Sequence, residues 1–204
     1  GTDYTTSTVE IVIPAGSTTG TATVATTGDS IDELDESFQV GISSVTNASD
    51  GSTPQSVTIS DDDTSSVTLS ASSSVDEGSN ATITATLSVS NSQDVTVTLV
   101  FNYVDASSGD ILTTTQEIVI PAGSLSAAID VATVDDSLDE PVEGFTVSVA
   151  GVVAAADGSS AQTITINDND VPALSLSATL SATEGTTATI TATLDTPSIE
   201  PITL

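Results

Sequence analysis

The chain repeats itself at one fixed spacing. EIVIPAGS beginning at Glu10 returns unchanged beginning at Glu117, 107 positions on. DSIDE (29–33) returns as DSLDE (136–140), Glu36 and Phe38 return as Glu143 and Phe145, and ATITATL (81–87) returns as 188–194. Solenoid units run to about 20–50 residues. A period of 107 residues is a whole domain, so the 204 residues read as a window on an array of sister domains. Besides the apolar pattern, the positions that return most faithfully are carboxylates.

The pattern is β throughout. Ile83, Ala85, Leu87 and Val89 alternate with Thr82, Thr84, Thr86 and Ser88. Val95, Val97, Leu99, Phe101 and Tyr103 alternate with Thr96, Thr98 and Asn102 in the same way. A period of two with β-branched residues marks half-buried antiparallel strands. No stretch carries an apolar stripe at helical spacing. One period holds seven expected strands, near 66–73, 81–89, 95–104, 115–121, 125–134, 144–152 and 161–167. Glu77-Gly78, Ser107-Ser108-Gly109, Pro121-Ala122-Gly123 and Asp157-Gly158 supply turns between them. The expected fold is all-β: tandem immunoglobulin-like seven-stranded antiparallel β-sandwiches. Asp61-Asp62-Asp63 and Asp168-Asn169-Asp170 close the repeats. Residues 1–63 are then the later part of one domain, 64–170 a complete one, and 171–204 the opening strands of a third. The linkers, Thr64-Ser65 and Val171-Pro172, are short, which predicts a junction stiff with metal bound and flexible without it.

Composition sharpens the reading. The formal charge is −29, and Lys, Arg, His, Cys, Met and Trp are all absent. Two like charges about 4 Å apart repel by about 1 kcal/mol in water and about 4 kcal/mol at an effective dielectric of 20. Clustered acids without cations must therefore be solvated, protonated or bound to metal. Phosphate recognition needs Lys or Arg, which excludes nucleic acid and direct binding to anionic membrane. Thiol, imidazole and zinc chemistry lack their residues. A carboxylate-only glycosidase would want aromatic platforms, and only Tyr4, Tyr103, Phe38, Phe101 and Phe145 are aromatic, so no enzyme is expected. Asn47-Ala48-Ser49 and Asn80-Ala81-Thr82 fit the glycosylation acceptor pattern, a short motif that often arises by accident.

In the complete period the acids fall at strand ends. Glu77 lies in the first inter-strand loop and Asp110 in the third. Asp135, Asp136, Glu140 and Glu143 precede the Phe145 strand, and Asp168 and Asp170 end the last one. Odd-numbered loops of a seven-strand antiparallel sandwich emerge at one end, together with the C-terminus. Eight carboxylates can thus meet there, with the Leu138 carbonyl beside them. Ca²⁺ takes six to eight oxygens with flexible geometry, whereas Mg²⁺ demands an octahedron and keeps its waters. Ca²⁺ is therefore the expected cofactor. Against this stands the plain alternative that acidic loops are solvated and keep a protein soluble. Asp32, Asp35, Asp94 and Asp139 are assigned to that solvated surface.

The pattern E-G, then D, then D-D-x-x-x-E-x-x-E-x-F, then a closing D-D-D or D-N-D, resembles the Calx-β domain family. The resemblance covers the whole chain as partial, whole and partial copies. It implies a β-sandwich whose end loops bind a cluster of Ca²⁺ ions. By that resemblance Glu77, Asp110, Asp135, Asp136, Leu138, Glu140, Glu143, Asp168 and Asp170 are metal ligands. In the first copy the matching residues are Asp3, Asp29, Ile31, Glu33, Glu36, Asp61, Asp62 and Asp63. In the third only Glu184 remains. Gly28 stands where the second copy has Asp135, and Asn169 replaces the middle acid of the closing triplet; both departures weaken their sites.

The expected function is a Ca²⁺-stiffened structural array, an adhesin stalk or matrix fibre outside the cell or on its surface. The resemblance adds that tandem copies occur in large bacterial surface proteins. The partners are neighbouring repeat domains. The alternatives are a homopolymer joined by strand addition at unpaired sheet edges, a regulatory Ca²⁺ sensor as in exchangers that share the domain, and a glycan-binding module, which the shortage of aromatic residues opposes.

Overall fold

The computed structural model describes residues 3–5, 8–113 and 115–204. Its strands are β1 (Glu36–Val40), β2 (Gln55–Ile59), β3 (Ser66–Ala71), β4 (Ser74–Asp76), β5 (Asn80–Leu87), β6 (Val95–Tyr103) and β7 (Thr115–Ile120), followed by β8 (Ser126–Ala132), β9 (Glu143–Val153), β10 (Ala156–Asp157), β11 (Gln162–Asn167), β12 (Leu174–Ala178) and β13 (Ile190–Leu194). There is no helix among the described residues.

Between residues 66 and 167 two sheets form, ordered β10-β3-β5-β8 and β4-β11-β9-β6-β7. Alternation puts one face of each strand inside. Ala81, Ile83, Ala85 and Leu87 of β5 are buried, as are Val95, Val97, Leu99 and Phe101 of β6. Phe145 fills the centre, with its ring 6.2 Å from that of Phe101. The Thr and Ser positions between them form the outer faces, which suits sheets wet on one side. Tyr103 breaks the pattern. Expected inside, it is 40% exposed, and its hydroxyl donates to the Ile111 carbonyl at 3.4 Å.

All seven expected strands are present within a few residues, and two short ones join them. The stretch expected as a single strand over 66–73 divides. Ser72 N–H donates to the Thr82 carbonyl of one sheet at 3.0 Å. The Ser73 carbonyl accepts from Thr165 N–H of the other at 3.1 Å. The chain therefore changes sheets between two serines, and β4 runs parallel to β11. On the opposite sheet β10 runs parallel to β3. The sandwich is therefore not wholly antiparallel, because both added strands are edge pieces that follow a crossover.

The flanking segments reproduce parts of this pairing. Glu36 pairs with Ile59 and Phe38 with Val57; at a distance of 107, Glu143 pairs with Ile166 and Phe145 with Ile164. Leu174 pairs with Leu194, as Val67 does with Leu87. Equal register from equal sequence places the same side chains on the same faces, since a one-residue slip would turn every one over. The EIVIPAGS segments also end in like turns. Ser17 N–H reaches the Pro14 carbonyl and Ser124 N–H the Pro121 carbonyl, both at 2.9 Å. Gly16 and Gly123 hold φ of 86° and 76° there.

Phe145→Ala removes a fully buried ring and is expected to cost about 3–5 kcal/mol. Val119→Ala, on a half-exposed position, is expected to cost under about 1 kcal/mol. Urea unfolding of both variants checks the pair, and equal losses would mean that Phe145 is not the centre of the core.

Candidate metal centre

The loops at one end of the sandwich bring the acids together. A tight turn between β4 and β5 carries Glu77, whose N–H donates to the Asn167 carbonyl at 3.0 Å. Gly78 follows at φ 73°. A Cβ there would lie 2.8 Å from the Asp135 Cβ, so the Glu-Gly pair is needed both for the turn and for the approach of the β8–β9 loop. Val134 N–H donates to the Asp110 carbonyl at 2.9 Å, which joins the β6–β7 loop to the same cluster. Asp136 Oδ1 accepts from Leu138 N–H at 2.7 Å. Asp29 accepts from Ile31 N–H in the matching turn at 2.8 Å.

Two groups result. One carboxylate oxygen from each of Glu77, Asp168 and Asp170 lies within 4.8 Å of the others, and the same holds for Asp110, Glu140 and Glu143. The charges of Asp110, Asp136 and Asp168 all bear on Glu140, so the two groups share one field. Burial, then the Asp110 charge and its hydrogen bond, push Glu143 from an ordinary 4.5 to about 7. Burial does the same to Glu77, also to about 7, against a lowering contribution from the Asn169 backbone and with the Asp168 and Asp170 carboxylates adding to the rise. Burial, then the charges of Asp110, Asp136 and Asp168, raise Glu140.

No donor reaches Glu77 Oε1 or Asp170 Oδ2, both buried; the two carboxyls face each other and pair only while one of them carries a proton. A buried oxygen without a donor loses its hydration and gains nothing in exchange. The sequence offers no Lys, Arg or His to neutralise it. A proton answers this below about pH 7, and a hard divalent cation answers it once the acids are ionised. The donor set is entirely oxygen, crowded and bridged across loops, which suits the coordination number and irregular geometry of Ca²⁺.

The first copy gathers matching acids, but among the described residues only its closing triplet draws together as a close group. Asp3, Asp29, Glu33, Glu36 and Asp61 to Asp63 line a cleft of about 390 Å³. The closing triplet Asp61, Asp62 and Asp63 has one oxygen of each within 4.8 Å of the others. A hydrogen bond with Asp3 and its charge raise Glu36, as Asp110 raises Glu143. Burial and the charges of Asp62, Asp61, Asp29 and Asp32 raise Asp63. Ile31 is half-buried beside Glu33, as Leu138 is beside Glu140. Glu184 is exposed and, among the described residues, joins no acidic group.

Asn169 has a part that its sequence position did not suggest. Its amide nitrogen donates to Asp135 Oδ1 at 3.1 Å and to the Glu77 carbonyl at 3.4 Å. The first copy has Gly28 and Asp62 at the positions of Asp135 and Asn169. One acid has thus moved between two positions that touch, and the number of acids at this contact is unchanged. Asp105 also acts on Glu143 by its charge. Its counterpart would precede residue 1, so repeat comparison could not reveal it.

Four acids assigned to solvated surface have specific contacts. Asp94 Oδ1 accepts from Ala122 N–H at 2.8 Å, pinning the Pro121 turn. Asp35 Oδ1 accepts from Asp61 N–H at 3.2 Å, which holds the closing triplet to the loop while Asp35 itself stays exposed. Asp32 and Asp139 are half-buried against the segments around Asn91 and Ser198.

The family model of the Calx-beta domain matches the chain twice, over residues 1–63 and 60–170. No curated protein sequence matches it significantly. Among solved structures, the apo-form Calx CBD1 domain is 17% identical with a TM-score of 0.45, over 51% of this chain and 98% of that one. CBD12 from CALX1.2 is 17% identical with a TM-score of 0.45, over 50% of this chain and 46% of that one. The calcium binding domain CBD12 of CALX1.1 is 19% identical with a TM-score of 0.44, again over 50% and 46%. The chain thus spans just under half of these last two.

In the absence of metal, the folded chain holds protons on Glu77 and Glu143 up to about pH 7, whereas the unfolded chain releases them near 4.5. Their contribution to stability is therefore full below 4.5 and is lost as pH rises through 7. Urea midpoints in EDTA are expected to fall between pH 5 and pH 8, and Glu77→Gln with Glu143→Gln is expected to flatten the fall. A midpoint that holds or rises in the parent chain contradicts the assignment.

Proposed function

The chain belongs to the Calx-beta domain family, and from that premise we propose that it is a stretch of a Ca²⁺-braced structural array. Its acidic loops take up calcium ions that hold one end of each copy together. In the complete copy, Glu77, Asp168 and Asp170 hold one side of the ion cluster, and Asp110, Glu140 and Glu143 hold the other. Asp135, Asp136 and the Leu138 carbonyl complete the coordination. In the first copy Asp3, Asp29, Ile31, Glu33, Glu36, Asp61, Asp62 and Asp63 do the same. The single observation that carries the reading is the pair of buried, unpartnered oxygens on Glu77 and Asp170, in a chain with no cationic side chain. One solved relative is titled a calcium binding domain.

The array lies outside the cell or on its surface, as a stalk or fibre whose partners are its own neighbouring copies. The tandem repetition, the outer Thr and Ser faces and the extreme acidity support that setting. Extracellular calcium is about millimolar and fills even weak sites, so the ion is a permanent brace rather than a signal.

Thermal unfolding of the whole chain in about 2 mM Ca²⁺, in Mg²⁺ and in EDTA tests this. Binding to the folded state alone at a hundredfold excess over Kd adds about 2.7 kcal/mol, a rise on the order of 10 °C for a domain of this size. That rise is expected with Ca²⁺ and not with Mg²⁺. Equal melting in all three solutions would make the acids solvated surface.

A further inference from the structure

Asp32 turns its backbone N–H, its carbonyl and one carboxylate oxygen to residues more than thirty positions downstream. Its backbone N–H donates to the Ser90 carbonyl and its carbonyl accepts from Ser92 N–H, both at 2.9 Å. Its Oδ2 accepts from Ser65 N–H at 2.8 Å, Ser65 Oγ at 2.5 Å and Asn91 Nδ2 at 2.9 Å. Ser65 is fully buried and Asn91 is 3% exposed. Three donors on one carboxylate oxygen form a charge-assisted site of the strong kind.

The receiving surface is built by the second copy alone. Asn91 Nδ2 also reaches the Ala154 carbonyl at 2.7 Å, and Asn91 Oδ1 accepts from Gln93 N–H at 2.8 Å. The Asn91 carbonyl accepts from Gly123 N–H at 2.8 Å. Ala154 sits at φ 69°, a conformation a residue with a Cβ adopts only where its surroundings impose it. These bonds fix Asn91 before any neighbour arrives, so the socket is rigid and its unfilled partner is a carboxylate.

The backbone half of this contact recurs one period later. Asp139 N–H donates to the Pro197 carbonyl at 3.0 Å, and Ile199 N–H donates to the Asp139 carbonyl at 3.1 Å. The side-chain half does not. Pro172 stands in the place of Ser65 and has no N–H to give, and Ser198 stands in the place of Asn91.

We propose that Asp32 docks one copy onto the next through a socket of Ser65 and Asn91, without an ion in the contact. Copies whose successor carries Ser and Asn at these positions are locked in orientation. Those followed by Pro and Ser, as at Asp139, are held by the backbone pair and swivel. This goes beyond calcium bracing, because the lock lies between copies and uses none of the proposed ligands.

The chain has no cysteine, so Gln55→Cys and Thr86→Cys place two unique spin labels across the first joint. Their distance distribution is measured by pulsed electron resonance in the whole chain, with calcium and with EDTA. Asp32→Ala is expected to broaden it about twofold in both conditions, since relative motion is the default for weakly joined domains. Asn91→Ser, which copies the second joint, is expected to broaden it as well. The melting response to Ca²⁺ is expected to persist in Asp32→Ala, which separates failure of the lock from failure of calcium binding. Parent and Asp32→Ala distributions of equal width in either condition overturn the proposal.

Discussion

Repulsion among carboxylates with no cation to offset it governs this molecule. The loops at the acidic end are tied to one another by backbone hydrogen bonds, as Glu77 N–H is to the Asn167 carbonyl and Val134 N–H to the Asp110 carbonyl, which keeps their acids close. The two groups that form there are near enough for Asp110 of one and Asp168 of the other both to raise Glu140, and two oxygens are sealed from water without a donor. Such an end is stable when protonated or when bridged by divalent ions. It is under strain otherwise. The proposed ions are thus part of the fold, supplying the positive charge that the sequence omits altogether.

The sandwich makes that concentration of charge possible. Its core is contributed by the complete copy, from Val67 to Ile166, and needs no charged group. The strands deliver loops to one end by direction alone, and register fixes which residue faces inward. Glu143 opens β9 two residues before buried Phe145, so its place at the cluster follows from the seating of that ring. Glu36 and Phe38 stand in the same relation, with Phe38 stacked on Tyr4 at 4.4 Å.

Fold and cluster were largely legible in the sequence because both rest on local periodicity and on exact repetition. Period-two alternation located the strands, and the constant spacing aligned their acids. What escaped depended on distant partners. Nothing near Asp32 announces donors 33 and 59 positions away. Asn169 lost the charge expected of it but kept an amide that ties Asp135 to the Glu77 turn, which a count of acids treats as a loss. The switch between sheets at Ser72 and Ser73 was hidden because serine is at home on either face and the alternation runs on through it.

The most direct measurement is diffraction from crystals of the chain grown with calcium, at a wavelength where calcium scatters anomalously. Peaks are expected between Glu77, Asp168 and Asp170 and between Asp110, Glu140 and Glu143, with carboxylate oxygens at about 2.3–2.6 Å. Ordered loops with no peak at either group would contradict it.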